Sequence, residues 1–140
     1  MTRLLIIAVL AAFIAGWLAF KRARLGPTYQ ATAGGLYSVA ASGGRYGVAK
    51  VLRLSPGVVH VRVYQGRSDA RPASVDPARL QLGRFGDPEP GVGHLPVSPR
   101  VFASWKPQLL AVVEVAESEL DGYHEWKSAE GGIWDQGLSL

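Results

Sequence analysis

Residues 44–64 carry the clearest alternation of apolar and polar positions in the chain. In residues 58–64, valines alternate with His60, Arg62 and Tyr64. A period of two is typical of a half-buried strand, so these three polar side chains are predicted to share the outward face. Residues 46–54 follow a weaker version of the pattern, which Lys50 interrupts. The two stretches together predict a β-hairpin.

The turn of this hairpin is predicted at Pro56 and Gly57. Proline presets a negative φ, and glycine accepts a positive φ at the next position. An ordinary type II turn suits the twist of a hairpin poorly, so a bulge is expected near Gly57.

Two strand registers fit the hairpin sequence. One places Leu54 opposite Val59 and pairs the apolar sets in strict alternation. The other sets Lys50 directly opposite Arg62, and like charges in that position are destabilising. We therefore expect the first register.

Further elements follow from shorter patterns. Strands are predicted at residues 36–41, 94–102 and 109–115, with a long glycine-rich loop at 83–93. Residues 109–115 also fit a buried helix, but their valines and shortness favour a strand. Asp76 and Pro77 predict a short helical turn, as an N-cap followed by a first-turn proline.

The last element is predicted to be a helix over about residues 117–130. Ser118 and Asp121 form an approximate capping box at its start. Leu120, Tyr123 and Trp126 then lie along one face, which is typical of core packing.

These elements predict a mainly β (α+β) fold. Its form is a small barrel of the Src-homology-3-like (SH3-like) or Tudor-like kind, or a strongly bent antiparallel sheet, with one C-terminal α-helix. The chain divides into a membrane anchor (1–26), a linker (27–35) and this domain (36–140).

Residues 4–20 form an uncharged apolar run, at the short end of what spans a bilayer as a helix. Trp17 lies where interfacial aromatic residues occur, and Lys21, Arg22 and Arg24 follow as a cationic flank. A cleaved signal peptide is the rival interpretation. However, no small-residue cleavage motif follows the run, and the cations lie on the wrong side of it. We expect an uncleaved, single-pass transmembrane anchor.

Charge is unevenly distributed along the chain. Of the 15 lysines and arginines, fourteen lie in residues 1–106, whereas residues 107–140 carry Lys127 and seven acids. The simplest interpretation is that an acidic C-terminal element folds over or beside a basic sheet. Alternatively, the basic face meets a nucleic acid, an anionic lipid or an acidic protein.

Several short motifs occur together in the domain. They are G-x-Y from Gly35, V-A-K-V-L from Val48, V-H-V-R-V-Y from Val59, R-P at Arg71, V-D-P-x-x-L from Val75, G-x-G-H-L-P from Gly91 and E-L-D-G-Y-x-x-W from Glu119. In combination they resemble a group of small, uncharacterised bacterial proteins, over residues 35–134. The resemblance implies no activity and transfers no functional residues. This chain departs from the pattern at residues 65–68, and its membrane anchor is an addition.

Candidate chemistry is sparse. His60, His94 and His124 lack the spacing of metal ligands, so no metal site and no cofactor are expected. The sequence has no cysteine, no nucleophile elbow and no phosphate loop, so an enzyme is not expected. Basic and aromatic residues interleave on the hairpin, which leaves nucleic-acid binding as the alternative function.

The favoured function is therefore a non-enzymatic, protein-binding module in the bacterial inner membrane. Flanking cations weakly favour a cytoplasmic domain over a periplasmic one. An immunity-type or secretion-accessory (envelope) role fits such a domain. The candidate partner-binding residues are His60, Arg62, Tyr64 and Arg67 on the hairpin and its loop, and Arg84 and His94 at the two ends of the long loop.

Overall fold

The computed structural model describes residues 30–140, which form an antiparallel sheet and five helical segments. The strands are β1 (Gly35–Ala40), β2 (Tyr46–Ser55), β3 (Val58–Val63), β4 (Val92–Val97) and β5 (Gln108–Val112). Helix α1 spans Pro99–Ser104. A 3-10 turn at Glu117–Leu120 leads into α2 at Asp121–Ser128, and these two segments together are called the C-terminal helix. Two further 3-10 turns lie at Ser42–Gly44 and Pro77–Arg79.

The five strands form one open sheet in the order β4-β3-β2-β1-β5. All neighbouring pairs are antiparallel, and among residues 30–140 no pairing joins the two edge strands. The prediction of a mainly β domain with a C-terminal helix is confirmed. The closed SH3-like or Tudor-like barrel is not formed.

One face of the sheet, called the apolar face, packs against α1. Its buried residues are Tyr37, Val39, Ala49, Val51, Val59, Val61, Val63 and Val97, and α1 and its end add Val101, Phe102 and Trp105. Phe102 is 1% exposed, and its ring meets Tyr37 edge-on at 5.4 Å between centroids. This face is the main hydrophobic core.

Helix α1 corrects the predicted strand at residues 94–102. The strand ends at Val97, and the side chain of Ser98 accepts a hydrogen bond from the Val101 N–H at 3.2 Å. Pro99 follows at the first helical position. An N-cap and a first-turn proline start a helix here, as Asp76 and Pro77 do in the confirmed 3-10 turn.

The opposite face, called the polar face, lies under the C-terminal helix. Leu52 packs there against Leu120 and Tyr123, so the predicted apolar side of this helix is confirmed. Ser118 is not its cap, because the helical turn begins at Glu117. The carboxylate of Glu119 instead accepts the Ala116 N–H at 2.8 Å.

The hairpin contains both of the registers that the sequence allows. Next to the turn Leu54 lies opposite Val59, as predicted. The register then shifts between Val51 and Arg53, which leaves Leu52 as an extra residue. The bulge therefore lies at Leu52 and not near Gly57, and it brings Lys50 and Arg62 directly opposite each other, against expectation.

Residues 1–29 lie outside the described part of the chain. The predicted anchor at 4–20 and its flank of Trp17, Lys21, Arg22 and Arg24 fall there, so these assignments stay predictions. No helix within residues 30–140 has the length and apolar character that a bilayer crossing requires.

Replacing Gly34 with alanine is expected to lower the free energy of unfolding by about 1–3 kcal/mol. Gly34 has a φ of 81°, and a Cβ there would lie 2.5 Å from the Val113 carbonyl oxygen. Both the left-handed backbone and the clash with a backbone atom disfavour any side chain. Gly132→Ala is the matched control, since nothing lies within 4 Å of its Cβ position. Equal urea midpoints for the two variants would contradict this prediction.

Candidate functional site

The polar face holds two adjoining groups of buried or partly buried polar side chains. Lys50 and Arg62 form the first group with Glu119, called the charged triad. His60 and His94 form the second, called the histidine pair. The C-terminal helix covers both groups, so their geometry depends on how this helix is seated on the sheet.

In the charged triad, the carboxylate of Glu119 bridges the two cations that the bulge sets opposite each other. Lys50 Nζ lies 2.9 Å from Glu119 Oε2 and also donates to the Glu114 carbonyl at 2.9 Å. Arg62 Nη1 lies 3.7 Å from Glu119 Oε1. The Lys50 side chain is 5% exposed and that of Glu119 15%, so this is a buried ion pair. The acidic C-terminal element therefore does fold over a basic sheet, as predicted.

Two pKa values reflect this arrangement. Burial acts to raise the pKa of Glu119, but hydrogen bonds from Lys50 and the Ala116 N–H, with the charges of Lys50 and Arg62, outweigh it and lower the pKa. Burial, assisted by the charge of Glu119, raises the pKa of Tyr64. Glu119 is therefore ionised and Tyr64 neutral at physiological pH.

In the histidine pair, His60 Nδ1 lies 3.0 Å from His94 Nε2, and His60 Nε2 lies 3.0 Å from Ser55 Oγ. The two rings are nearly parallel, with an interplanar angle of 15°. The His60 residue is 0% exposed. Burial, with the charges of His94 and Arg53, lowers the pKa of His60 to about 4, and burial lowers the pKa of His94. Both imidazoles are therefore neutral at pH 7.

Aromatic rings of the C-terminal helix enclose the histidine pair. The His60 ring meets the Tyr123 ring at 4.8 Å and the Trp126 ring at 4.6 Å between centroids, both edge-on. The Arg53 guanidinium carbon lies 4.9 Å from the Tyr123 ring centre, a cation–π contact. His60 is thus the centre of a packed aromatic cluster.

The hairpin residues predicted to point outward do share one face, but that face is not open. His60 and Tyr64 are buried, and Arg62 is partly buried beneath the C-terminal helix. Their common face follows from the alternation. The burial of His60 and Arg62 follows from the docking of a distant segment, which the alternation does not encode. A partner cannot reach His60 while this helix is in place.

Arg67 lies apart from the polar face, in the loop after β3. Its guanidinium donates to the Tyr64 carbonyl at 3.2 Å and the Gly66 carbonyl at 2.7 Å. Arg45 donates to the Arg67 carbonyl and pairs with Glu89. Burial, with the charge of Arg45, lowers the pKa of Arg67 against the raising effect of Glu89. These contacts give Arg67 a structural role in holding two loops together.

Arg84 lies on the exposed tip of the long loop. Its backbone N–H donates to the Asp87 carboxylate at 2.7 Å, which fixes the turn. Phe85 beside it is fully exposed. The sequence hypothesis therefore combined residues from three places: the covered polar face, the Arg67 loop and the Arg84 tip.

The edge strand β5 is an exposed feature that the sequence did not single out. It carries no charged residue, and Leu109 and Val112 are 52% and 61% exposed. The other edge, β4, contains Pro96, and its end is bridged by the backbone of Trp134. Natural sheets protect their edges with such prolines, with charges or with covering segments. Among residues 30–140, β4 has a proline and a covering segment, whereas β5 has neither and carries a bulge opposite Leu36 and Tyr37.

A groove of about 380 Å³ runs beside β5. Apolar side chains from β2, from the end of β5 and from the C-terminal helix line it, chiefly Leu52, Val112, Val113, Val115 and Leu120. Arg53 and Glu114 add one charge of each sign. The groove is therefore a mostly apolar surface next to a strand whose outer edge has no pairing partner within residues 30–140.

Sequence reasoning missed Glu119 as a partner of the sheet and the β5 edge as a surface. Lys50, which interrupts an apolar run, was the available signal for the charged triad, because a buried lysine requires a carboxylate. His124, the third histidine, pairs with Glu117 at 2.9 Å on the exposed side of the C-terminal helix. Within residues 30–140, no group of three or more histidines and carboxylates is placed to hold a metal ion.

Comparison with protein-family models, curated proteins and solved structures finds no match to this chain. The resemblance to small bacterial proteins stays a prediction.

Proposed function

We propose that this protein is a membrane-anchored, non-enzymatic module that binds a partner protein by accepting one of its extended segments at the β5 edge. The observation that carries this proposal is an edge strand with no charge and no proline, bearing two exposed apolar side chains. Unpaired strand edges are ready-made templates for a strand of another chain.

Backbone geometry supports strand addition at β5. The Val113 N–H donates to the Gly34 carbonyl at 2.8 Å, so it points toward β1. Because successive N–H groups of a strand point in opposite directions, that of Val112 faces away from the sheet. No backbone group within residues 30–140 accepts a hydrogen bond from it, so it can donate to an incoming strand.

The neighbouring groove supplies a place for side chains of that segment. Strand addition gains affinity from main-chain hydrogen bonds and specificity from pockets for alternate side chains. The apolar lining of the groove favours a segment with an aliphatic residue, and Arg53 and Glu114 at its margins favour flanking polar groups. An inner-membrane location and an immunity-type or secretion-accessory role are consistent with such a module.

Nucleic-acid binding is the weaker candidate. The basic residues proposed for it include Lys50 and Arg62, and both already pair with Glu119 on the covered polar face. The binding surface that this function requires is thus occupied by the C-terminal helix.

Photo-crosslinking in cells tests the β5 proposal on the full chain. A photoreactive residue at Val112 is expected to capture one defined protein, whereas the same residue at Leu54 is not. Leu54 is the matched control, because it is 46% exposed but lies on β2, away from either edge. Leu109→Lys should lower capture at residue 112 at least tenfold, since a charge blocks edge pairing.

Hydrogen exchange on the purified complex then distinguishes strand addition from side-chain contact. The Val112 amide should gain protection in the complex, because it becomes hydrogen-bonded. Equal capture from residues 54 and 112, capture that Leu109→Lys leaves unchanged, or an unprotected Val112 amide would each reject the proposal.

A further inference from the structure

The histidine pair joins the sheet to the C-terminal helix, and the proposed β5 site does not use it. His60 projects from β3 and His94 from β4, and their facing nitrogens are 3.0 Å apart. The helix backbone is seated directly on them, since a Cβ at Gly122 would lie 2.6 Å from His94 Cβ. The pair is therefore part of the surface on which this helix rests.

Each element packed around the pair contributes an identifiable group. Strand β2 contributes the hydroxyl of Ser55 and the guanidinium of Arg53. Arg53 is the residue directly opposite His60 on the neighbouring strand. The C-terminal helix contributes the rings of Tyr123 and Trp126.

The charged groups nearby give the pair no compensating negative charge. Glu119 is held by Lys50 and Arg62 in the adjoining charged triad. Within residues 30–140 neither His60 nor His94 forms an ion pair with a carboxylate. A proton added to the pair therefore brings uncompensated positive charge into a buried site.

We propose that the histidine pair is a pH-sensitive latch, which holds the C-terminal helix on the polar face when neutral and releases it when protonated. In the neutral state one imidazole N–H donates to the lone pair of the other ring. A first proton leaves this hydrogen bond but places a cation beside Arg53. A second proton turns both facing nitrogens into donors, which abolishes the bond and makes them repel.

The direction of the effect follows from the lowered pKa values. Because the pKa of His60 falls from 6.5 to about 4 in the folded state, the open state binds more protons between these values. The latch is therefore fully closed above pH 6.5 and weakens as the pH falls toward 4. The pKa of Glu119 is also lowered, so its carboxylate takes up a proton at a lower pH than an ordinary glutamate does. Release would uncover the basic side chains of Lys50 and Arg62.

Hydrogen–deuterium exchange of the full chain between pH 7.5 and pH 4.5, corrected for the intrinsic pH dependence, tests the latch. Residues 121–128 should lose protection at least tenfold at pH 4.5, relative to α1 on the other side of the sheet. His94→Gln, which keeps a neutral hydrogen-bonding group, should flatten most of this pH response. His124→Gln is the matched control, because this exposed histidine lies on the same helix outside the pair.

Three outcomes would overturn the latch. They are a C-terminal helix that stays protected at pH 4.5, a response that His94→Gln leaves unchanged, and one that His124→Gln abolishes. If His94→Gln does not fold, an NMR titration of the wild-type ring protons decides instead. Ordinary pKa values for both His60 and His94 would then reject the proposal. Repeating the exchange with a chelator present excludes an adventitious metal as the titrating species.

Discussion

Phe102→Ala is expected to lower the free energy of unfolding by about 3–5 kcal/mol, the usual cost of emptying a fully buried phenylalanine site. Phe102 joins α1 to the apolar face, with its ring edge-on to Tyr37 and 6.0 Å from the Trp105 ring. Deleting the ring removes a buried apolar side chain and its contacts with two aromatic rings. It also leaves a cavity that the rigid residues of the sheet cannot fill.

Urea unfolding of the full chain, followed by circular dichroism, measures this cost. Phe85→Ala is the matched control, because it removes the same side chain from a fully exposed loop position. It should change the free energy of unfolding by less than about 0.5 kcal/mol. A loss below about 1 kcal/mol for Phe102→Ala would show that α1 does not anchor the core in this way.

Glu119→Gln is expected to lower the free energy of unfolding by about 3 kcal/mol, although glutamine has nearly the same shape as glutamate. The substitution leaves Lys50, 4% exposed, directly opposite Arg62 with no negative charge between them. Removing one partner of a buried ion pair typically costs about 3–5 kcal/mol, and the partial exposure of Arg62 favours the lower end.

The same unfolding experiment with two further variants isolates the charge effect. Glu117→Gln breaks only the exposed pair with His124, so its cost should stay below about 1 kcal/mol. Adding Lys50→Met to Glu119→Gln should recover part of the lost stability, because the unpaired buried cation is gone. A double variant that is less stable than Glu119→Gln alone would contradict the role given to the charged triad.

The corrections to the fold have local physical causes. The strand predicted at residues 94–102 ends at Val97 because Ser98 and Pro99 start a helix, a signal that the sequence did contain. The hairpin register could not be decided from the sequence, because the carboxylate that separates Lys50 from Arg62 comes from a residue far along the chain. Lys50 and Arg62 do repel each other across the hairpin, but the carboxylate of Glu119 pairs with both and offsets this repulsion.

The sequence by itself determined the strands β1, β2 and β3, the turn at Pro56–Gly57, the C-terminal helix and its apolar side. Each depends on neighbours within a few residues, through alternation, turn chemistry or helical spacing. The sequence also indicated that acidic and basic parts of the chain meet.

Tertiary structure alone decided that both faces of the sheet are covered, that the sheet stays open, and that His60 meets His94. Alternation shows which side chains share a face, but it does not show what lies above that face. The C-terminal helix docks on the polar face because Leu120 and Tyr123 bury apolar surface there while Glu119 pairs with two cations. These long-range contacts turned a predicted outward surface into a buried one and left the β5 edge exposed.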